Sequence, residues 1–168
     1  MRSWSRPLAP CIEILLVIAG SGPGAPVAPS WSVNSKSEAL QKRIQAFVQR
    51  VIRFIEDLPD TLVAGRIAAQ LIDSAGSTDS NYRAACRGRS RREFIAKLGV
   101  AVEEADESKG WLDNLRNAGL GDAVEAAVLI READEITAIL VASRKTAIRN
   151  APPDKRLKGK RSKRKRPD

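Results

Sequence analysis

The amino-acid sequence predicts an all-α fold, an antiparallel up-down-up-down four-helix bundle. Three observations carry this. From residue 35 to 150 apolar residues recur at steps of three and four, and no alternating strand pattern competes. Four such stretches of about 20–30 residues are joined by links of about two to four, which suits antiparallel neighbours. Hydrophobic residues make up 43% of the 168-residue chain but aromatics only 4%, so the core must be aliphatic and alanine-rich.

The first helix opens weakly at Ser37, followed by Gln41 and Lys42. Ile44, Phe47, Val48, Val51, Ile52, Ile55 and Leu58 then form one broad apolar stripe. Lys42, Arg43, Gln49, Arg50 and Arg53 take the polar side, and Pro59 ends the helix because the residue before a proline resists helical geometry. Phe47, Ile52 and Phe54 lie beyond the narrow seam, which predicts apolar surface that a lone bundle would expose and hence a homo-oligomer.

The second helix starts near Asp60 and Thr61, both good caps, and runs through Val63, Ile67, Leu71 and Ala75. Propensity then fails, since Ser74, Gly76, Ser77, Thr78, Asp79, Ser80 and Asn81 are poor helix formers in close succession. On that ground alone the helix would break. Ser90 with Glu93 three residues on makes a capping box for the third helix. Phe94, Leu98, Ala101, Ala105, Ser108, Leu112 and Leu115 follow as a bundle seam, and Gly119 stops it. Gly121 and Asp122 open the fourth helix, whose seam is Leu129, Ala133, Ile136, Leu140, Ser143 and Ala147, closed by Pro152 and Pro153.

Composition narrows the chemistry. The length suits one domain with short appendages. No histidine is present, which removes the usual general base, the commonest metal ligand and every histidine-containing triad. Cys11 and Cys86 match no zinc spacing and read as reduced thiols of a cytoplasmic protein. Residues 151–168 hold nine Lys/Arg and two Asp, net +7, whereas residues 1–150 hold twenty and eighteen, net +2. That tail has no apolar periodicity and is expected to be disordered, with the capacity to neutralise several phosphates. A solubilising tail without a defined partner is the plainer alternative. Residues 1–34 superficially imitate a signal peptide, but Glu13 interrupts the apolar run and the stretch is too short to span a bilayer. They read as an extension that is disordered or outside the working protein, with Val33 as an alternative start.

One block is specific enough to suggest kinship. It comprises Asn81-Tyr82-Arg83-Ala84-Ala85-Cys86-Arg87, Arg89-Ser90, Glu93-Phe94-Ile95-Ala96-Lys97-Leu98, Glu103-Glu104-Ala105-Asp106-Glu107 and Trp111-Leu112. With Arg131-Glu132-Ala133-Asp134-Glu135 and Ala142-Ser143-Arg144-Lys145-Thr146, it resembles the bacterial four-helix proteins related to those encoded by intervening sequences in large-subunit ribosomal RNA genes. The likeness covers residues 35–150. It implies a ring-shaped homopentamer, and one long second helix running through the small-residue stretch, with Thr78 in an apolar place. Asp79 and Ser80 depart from the glycine and alanine usual there, so a local distortion is expected. Accessory proteins of diversity-generating retroelements are similar: basic pentameric rings that work with a reverse transcriptase and nucleic acid. Many members have no assigned role, and the resemblance supplies no catalytic residues.

Charged clusters supply the candidate sites. Arg89, Arg91 and Arg92 around the third helix start, with Lys155, Arg156, Lys158, Lys160, Arg161, Lys163, Arg164, Lys165 and Arg166 of the tail, are the nucleic-acid candidates, because guanidinium forks suit phosphate oxygens. Arg83 and Arg87, four apart, are assigned instead to structural ion pairs with Glu103, Glu104, Glu107, Glu132 and Glu135. Tyr82 and Trp111 have the chemistry to stack bases, though Trp111 beside Leu112 fits a packed interface better. Cys86 is either a thiol activated by Arg83 and Arg87 or a small buried hydrophobe. Glu104 and Glu107 have carboxylate spacing for a metal, a remote alternative without histidine.

The expectation is a non-enzymatic homo-oligomeric bundle, without cofactor or membrane span, that binds RNA, DNA or a nucleic-acid enzyme through basic surfaces. The alternative is a protein-interaction scaffold whose basic tail is incidental, and the remote one is a carboxylate-bound metal enzyme.

Overall fold

The computed structural model describes residues 35–150, which form α1 (Ser35–Glu56), α2 (Leu62–Cys86), α3 (Arg91–Asn117) and α4 (Ala123–Arg149). The extension and the tail lie outside the described residues. Each link reverses the chain, and the helices pack in sequence around one core, with α4 returning against α1. The ends are set by side chains. Thr61 accepts a hydrogen bond from the Ala64 amide at 3.2 Å, and Asp122 accepts one from Glu125 at 2.7 Å. Ser90 accepts from the Glu93 amide at 3.2 Å, while the Glu93 carboxylate reaches back to the Arg89 amide at 3.0 Å, a capping box displaced by one residue.

The predicted break in α2 does not occur, as the family likeness implied. Ser74, Thr78, Ser80 and Asn81 each donate from the side chain to a carbonyl three or four residues back. Their capacity to compete with the helix is thus spent inside it. Ser74, Ala75, Thr78 and Ala85 meet Leu98, Ala101, Ala105 and Ser108 in the core, and the Ser108 hydroxyl lies 2.9 Å from that of Ser74. Small side chains let α2 and α3 pack along their whole length, the most extensive pairing in the bundle.

α3 ends in a Schellman motif: the Leu120 amide bonds the Leu115 carbonyl at 2.9 Å and the Gly119 amide bonds Arg116 at 3.1 Å, with Gly119 at φ 67°. Two residues later Gly121 sits at φ 81°, where a Cβ would lie 2.8 Å from both Leu58 Cδ2 and Phe54 Cζ.

The surface predicted for α1 needs correction. Phe47 and Phe54 are 2% and 4% exposed within the single chain, because α1 turns them into the core and the link backbone at Gly121 leaves room for the Phe54 ring. Only Ile52, with Val48 and Ile55, is left half-buried.

Candidate functional site

Antiparallel order brings the α2–α3 turn, the start of α1 and the end of α4 to one end of the bundle. Their charges agree in sign. When each helix is divided at its midpoint, with Glu104 placed in the far half, the half at this end holds twelve Lys/Arg against four Asp/Glu. The opposite half holds six against thirteen. A bundle that is nearly neutral between residues 35 and 150 is therefore strongly polarised along its axis.

At the basic end, Arg89 is 91% exposed at its side chain and pairs loosely with Glu93 at 3.5 Å. Arg92 is exposed, as is Arg87, and neither has an ion pair among the described residues. Arg91 is half-buried and donates to the Asn150 carbonyl, tying the start of α3 to the end of α4. The same end gathers Lys145 and Arg149, both exposed, and Arg144, whose Nε donates to the Ile95 carbonyl at 3.4 Å. Sequence reasoning passed over these three, although their place in the last turns of α4 was a usable signal once the up-down order was predicted. Lys97 reaches Asn81 Oδ1 at 3.4 Å. The described chain stops at Asn150, so the nine tail cations Lys155 to Arg166 attach here but lie outside the described residues.

Arg83 is held by Asp79 at 3.2 Å within its own helix, and Asp79 Oδ1 and Arg83 Nε are buried without a hydrogen-bond partner. Glu132 and Glu135 instead grip Arg43 of α1, Glu132 at 2.5 Å and in a bidentate fork. Arg50 binds Glu125 at 2.7 Å, so two rungs one heptad apart join α1 to α4. The Glu132 hydrogen bonds, with Glu135 adding, hold the Arg43 guanidinium still further above its already high pKa, against the opposing effect of burial. Glu107 accepts from Trp111 Nε1 at 2.9 Å, and Trp111 packs half-buried against the core. Burial pushes the Glu104 carboxyl upward, with Glu107 and Glu103 adding to it.

Two further candidates change character. Tyr82 is 4% exposed and donates to the Ser37 carbonyl at 3.3 Å, so its ring is not available for a base to stack on. Burial pushes the Cys86 thiol up, and the opposing pull of Tyr82 and Arg87 does not reverse it, so the activated thiol gives way to the packed one. Among the described residues no group of three or more Cys, Asp or Glu is arranged to hold a metal ion. No helix there is long and apolar enough to cross a membrane. The acidic end carries a depression of about 300 Å³ lined by Arg50, Arg53, Phe54, Asp57, Asp122 and Glu125, remote from the basic cluster.

Comparison with known proteins agrees with this architecture. A family profile described as 23S rRNA-intervening sequence protein matches residues 36–142, from the start of α1 into α4. Among solved structures, the chain is similar to a protein of unknown function from the S23 ribosomal protein family of Bacteroides thetaiotaomicron, at 25% identity and a TM-score of 0.56. The similarity covers 66% of this chain and 98% of that one. No curated protein matches.

Proposed function

The chain belongs to the 23S rRNA-intervening sequence protein family, and from that premise we propose that it is a non-enzymatic, cytoplasmic nucleic-acid-binding bundle that works as a homo-oligomer. The observation that carries this is the charge segregation, with twelve cations against four anions in the half that also launches the tail. Each Lys or Arg that replaces a counterion on a phosphate favours binding without reading sequence. Arg89, Arg92 and Arg149 stand on helix ends and can orient a backbone, whereas the tail supplies reach. RNA and DNA share the phosphate chemistry, and both belong in the test.

The assembly we propose is the homopentamer implied by the likeness drawn from the sequence. Its support is narrower than the first-helix stripe suggested and rests on Val48, Ile52 and Ile55, half-buried on α1. Light scattering of the full chain at micromolar concentration and about 0.5 M salt should give a closed species of fixed mass, and a monomer there would remove the pentamer. For binding, the full chain should retain RNA and DNA at about 50 mM salt and release them by about 500 mM, as counterion release requires. An intact, folded chain that binds neither at low salt would leave the scaffold reading in its place.

A further inference from the structure

The acidic end has no part in nucleic-acid binding, yet it is built in an unusual way. α2 and α4 begin there with Leu62 80% exposed, Val63 58% and Val124 74%. These positions fall in the first turn after a capping residue, where polar side chains would serve folding as well. Asp57, Asp60, Asp122 and Glu125 stand beside them on the same end. The basic end offers the complement: Ile148 is 48% exposed and sits among Arg144, Lys145 and Arg149. One molecule thus carries two ends of opposite charge, each with solvated aliphatic groups.

We infer that the acidic end docks the basic end of a second copy, so that the units stack head to tail. Charge complementarity selects this occupant over a generic apolar partner, since twelve cations against four face thirteen anions against six. The tail of the same molecule is a poorer fit. It leaves at Asn150, and the 27 residues of α4 put its own acidic end about 40 Å away. Eighteen residues follow Asn150, and a random-coil span of that length would be about 25 Å root-mean-square, short of that distance. In a head-to-tail contact Asn150, where the described chain stops, lies at the interface.

Two properties separate this contact from the proposed pentamer. Stacked along the bundle axis, this contact leaves an unmatched end on each terminal copy, so mass grows with concentration instead of stopping at one size. It also occupies the basic end, so nucleic acid and stacking exclude one another and added RNA shortens the stacks. The inference shares its basic cluster with the nucleic-acid reading, but its test uses no nucleic acid, so either can fail alone.

The test is sedimentation velocity on the full chain and on two charge-reversed variants. Asp57→Lys with Asp60→Lys brings the acidic end to eleven anions against eight cations; Arg89→Glu with Arg92→Glu brings the basic end to ten cations against six anions. All four positions are exposed, so neither variant should lose helix. Wild type should grow beyond its unit mass as concentration rises at low salt, and stop doing so at about 0.5 M, where screening is short-ranged. Each variant alone should need at least tenfold more protein for the same growth. The two mixed in equal amounts should associate again, as pairs, because the unaltered basic end of the first meets the unaltered acidic end of the second. Constant mass for wild type across the concentration range would overturn the inference. So would growth of either variant alone at the wild-type concentration, or a mixture that behaves as the sum of its parts.

Discussion

Replacing Gly121 by alanine isolates the contact that lets α1 bury its aromatic end. Gly121 has φ 81°, a left-handed conformation that costs an L-residue about 1–2 kcal/mol. A Cβ there would also stand 2.8 Å from Phe54 Cζ and 3.0 Å from Cε2, and Phe54 is 4% exposed in the core. Moving that ring adds an overpacking penalty of about 1–3 kcal/mol. The control is two residues away: at Gly119, with φ 67°, an added Cβ would meet nothing within 4 Å, so Gly119→Ala carries the backbone cost alone. Urea unfolding followed by circular dichroism should therefore place Gly121→Ala about 2–5 kcal/mol below wild type and Gly119→Ala only about 1–2 below. Equal losses, or a larger loss for Gly119→Ala, would refute the claim that the link backbone makes room for Phe54.

Arg43→Ala should cost about 1–2 kcal/mol, since it breaks a bidentate, part-exposed pair and releases Glu132 and Glu135, and thermal unfolding will read it. Ser108→Leu should cost about 1–3 kcal/mol by forcing α3 away from α2, where a fully buried hydroxyl now lies 2.9 Å from Ser74. Glu104 titrates higher in the folded chain, so the folded state holds that proton more tightly, and the resulting stability is present below pH 4.5 and lost as pH rises through the raised value. Glu104→Gln should then raise stability at neutral pH by about a few tenths of a kcal/mol at most, given solvent screening, and leave it unchanged at about pH 3. Cys86 should react with a disulfide reagent more slowly than a free cysteine at neutral pH, and catch up only above pH 9.0, because burial raises its pKa.

Periodic features were legible in the sequence. The α3 seam from Leu98 to Leu115, the Ser90 cap and the stop at Gly119 follow from spacing and local hydrogen bonding, which do not depend on distant residues. Propensity misjudged α2 from Ser74 to Asn81, because it scores each polar side chain as a competitor and cannot see the carbonyl that satisfies it. Pairings between helices were opaque. Arg43 and Glu132 are 89 residues apart, and only the antiparallel register of α1 and α4 makes them neighbours. Axial polarity was hidden for the same reason: reversing alternate helices lays Lys36, Arg87, Arg92 and Arg149 at one end from four separate stretches of sequence. The apolar face assigned to Phe47 and Phe54 failed because a helical wheel does not show how deeply α1 settles into the bundle.

The proposed function rests on the folded basic end, and not the tail alone, engaging phosphate. The decisive measurement is the salt dependence of RNA affinity for a chain ended at Asn150, with and without Arg89→Ala, Arg92→Ala and Arg149→Ala. Three lost phosphate contacts should lower the slope of log K against log salt by about 2 on a single strand. The shortened chain should still bind at low salt, and the triple substitution should flatten its slope by that amount. A shortened chain without measurable affinity, or a slope indifferent to the three arginines, would contradict it.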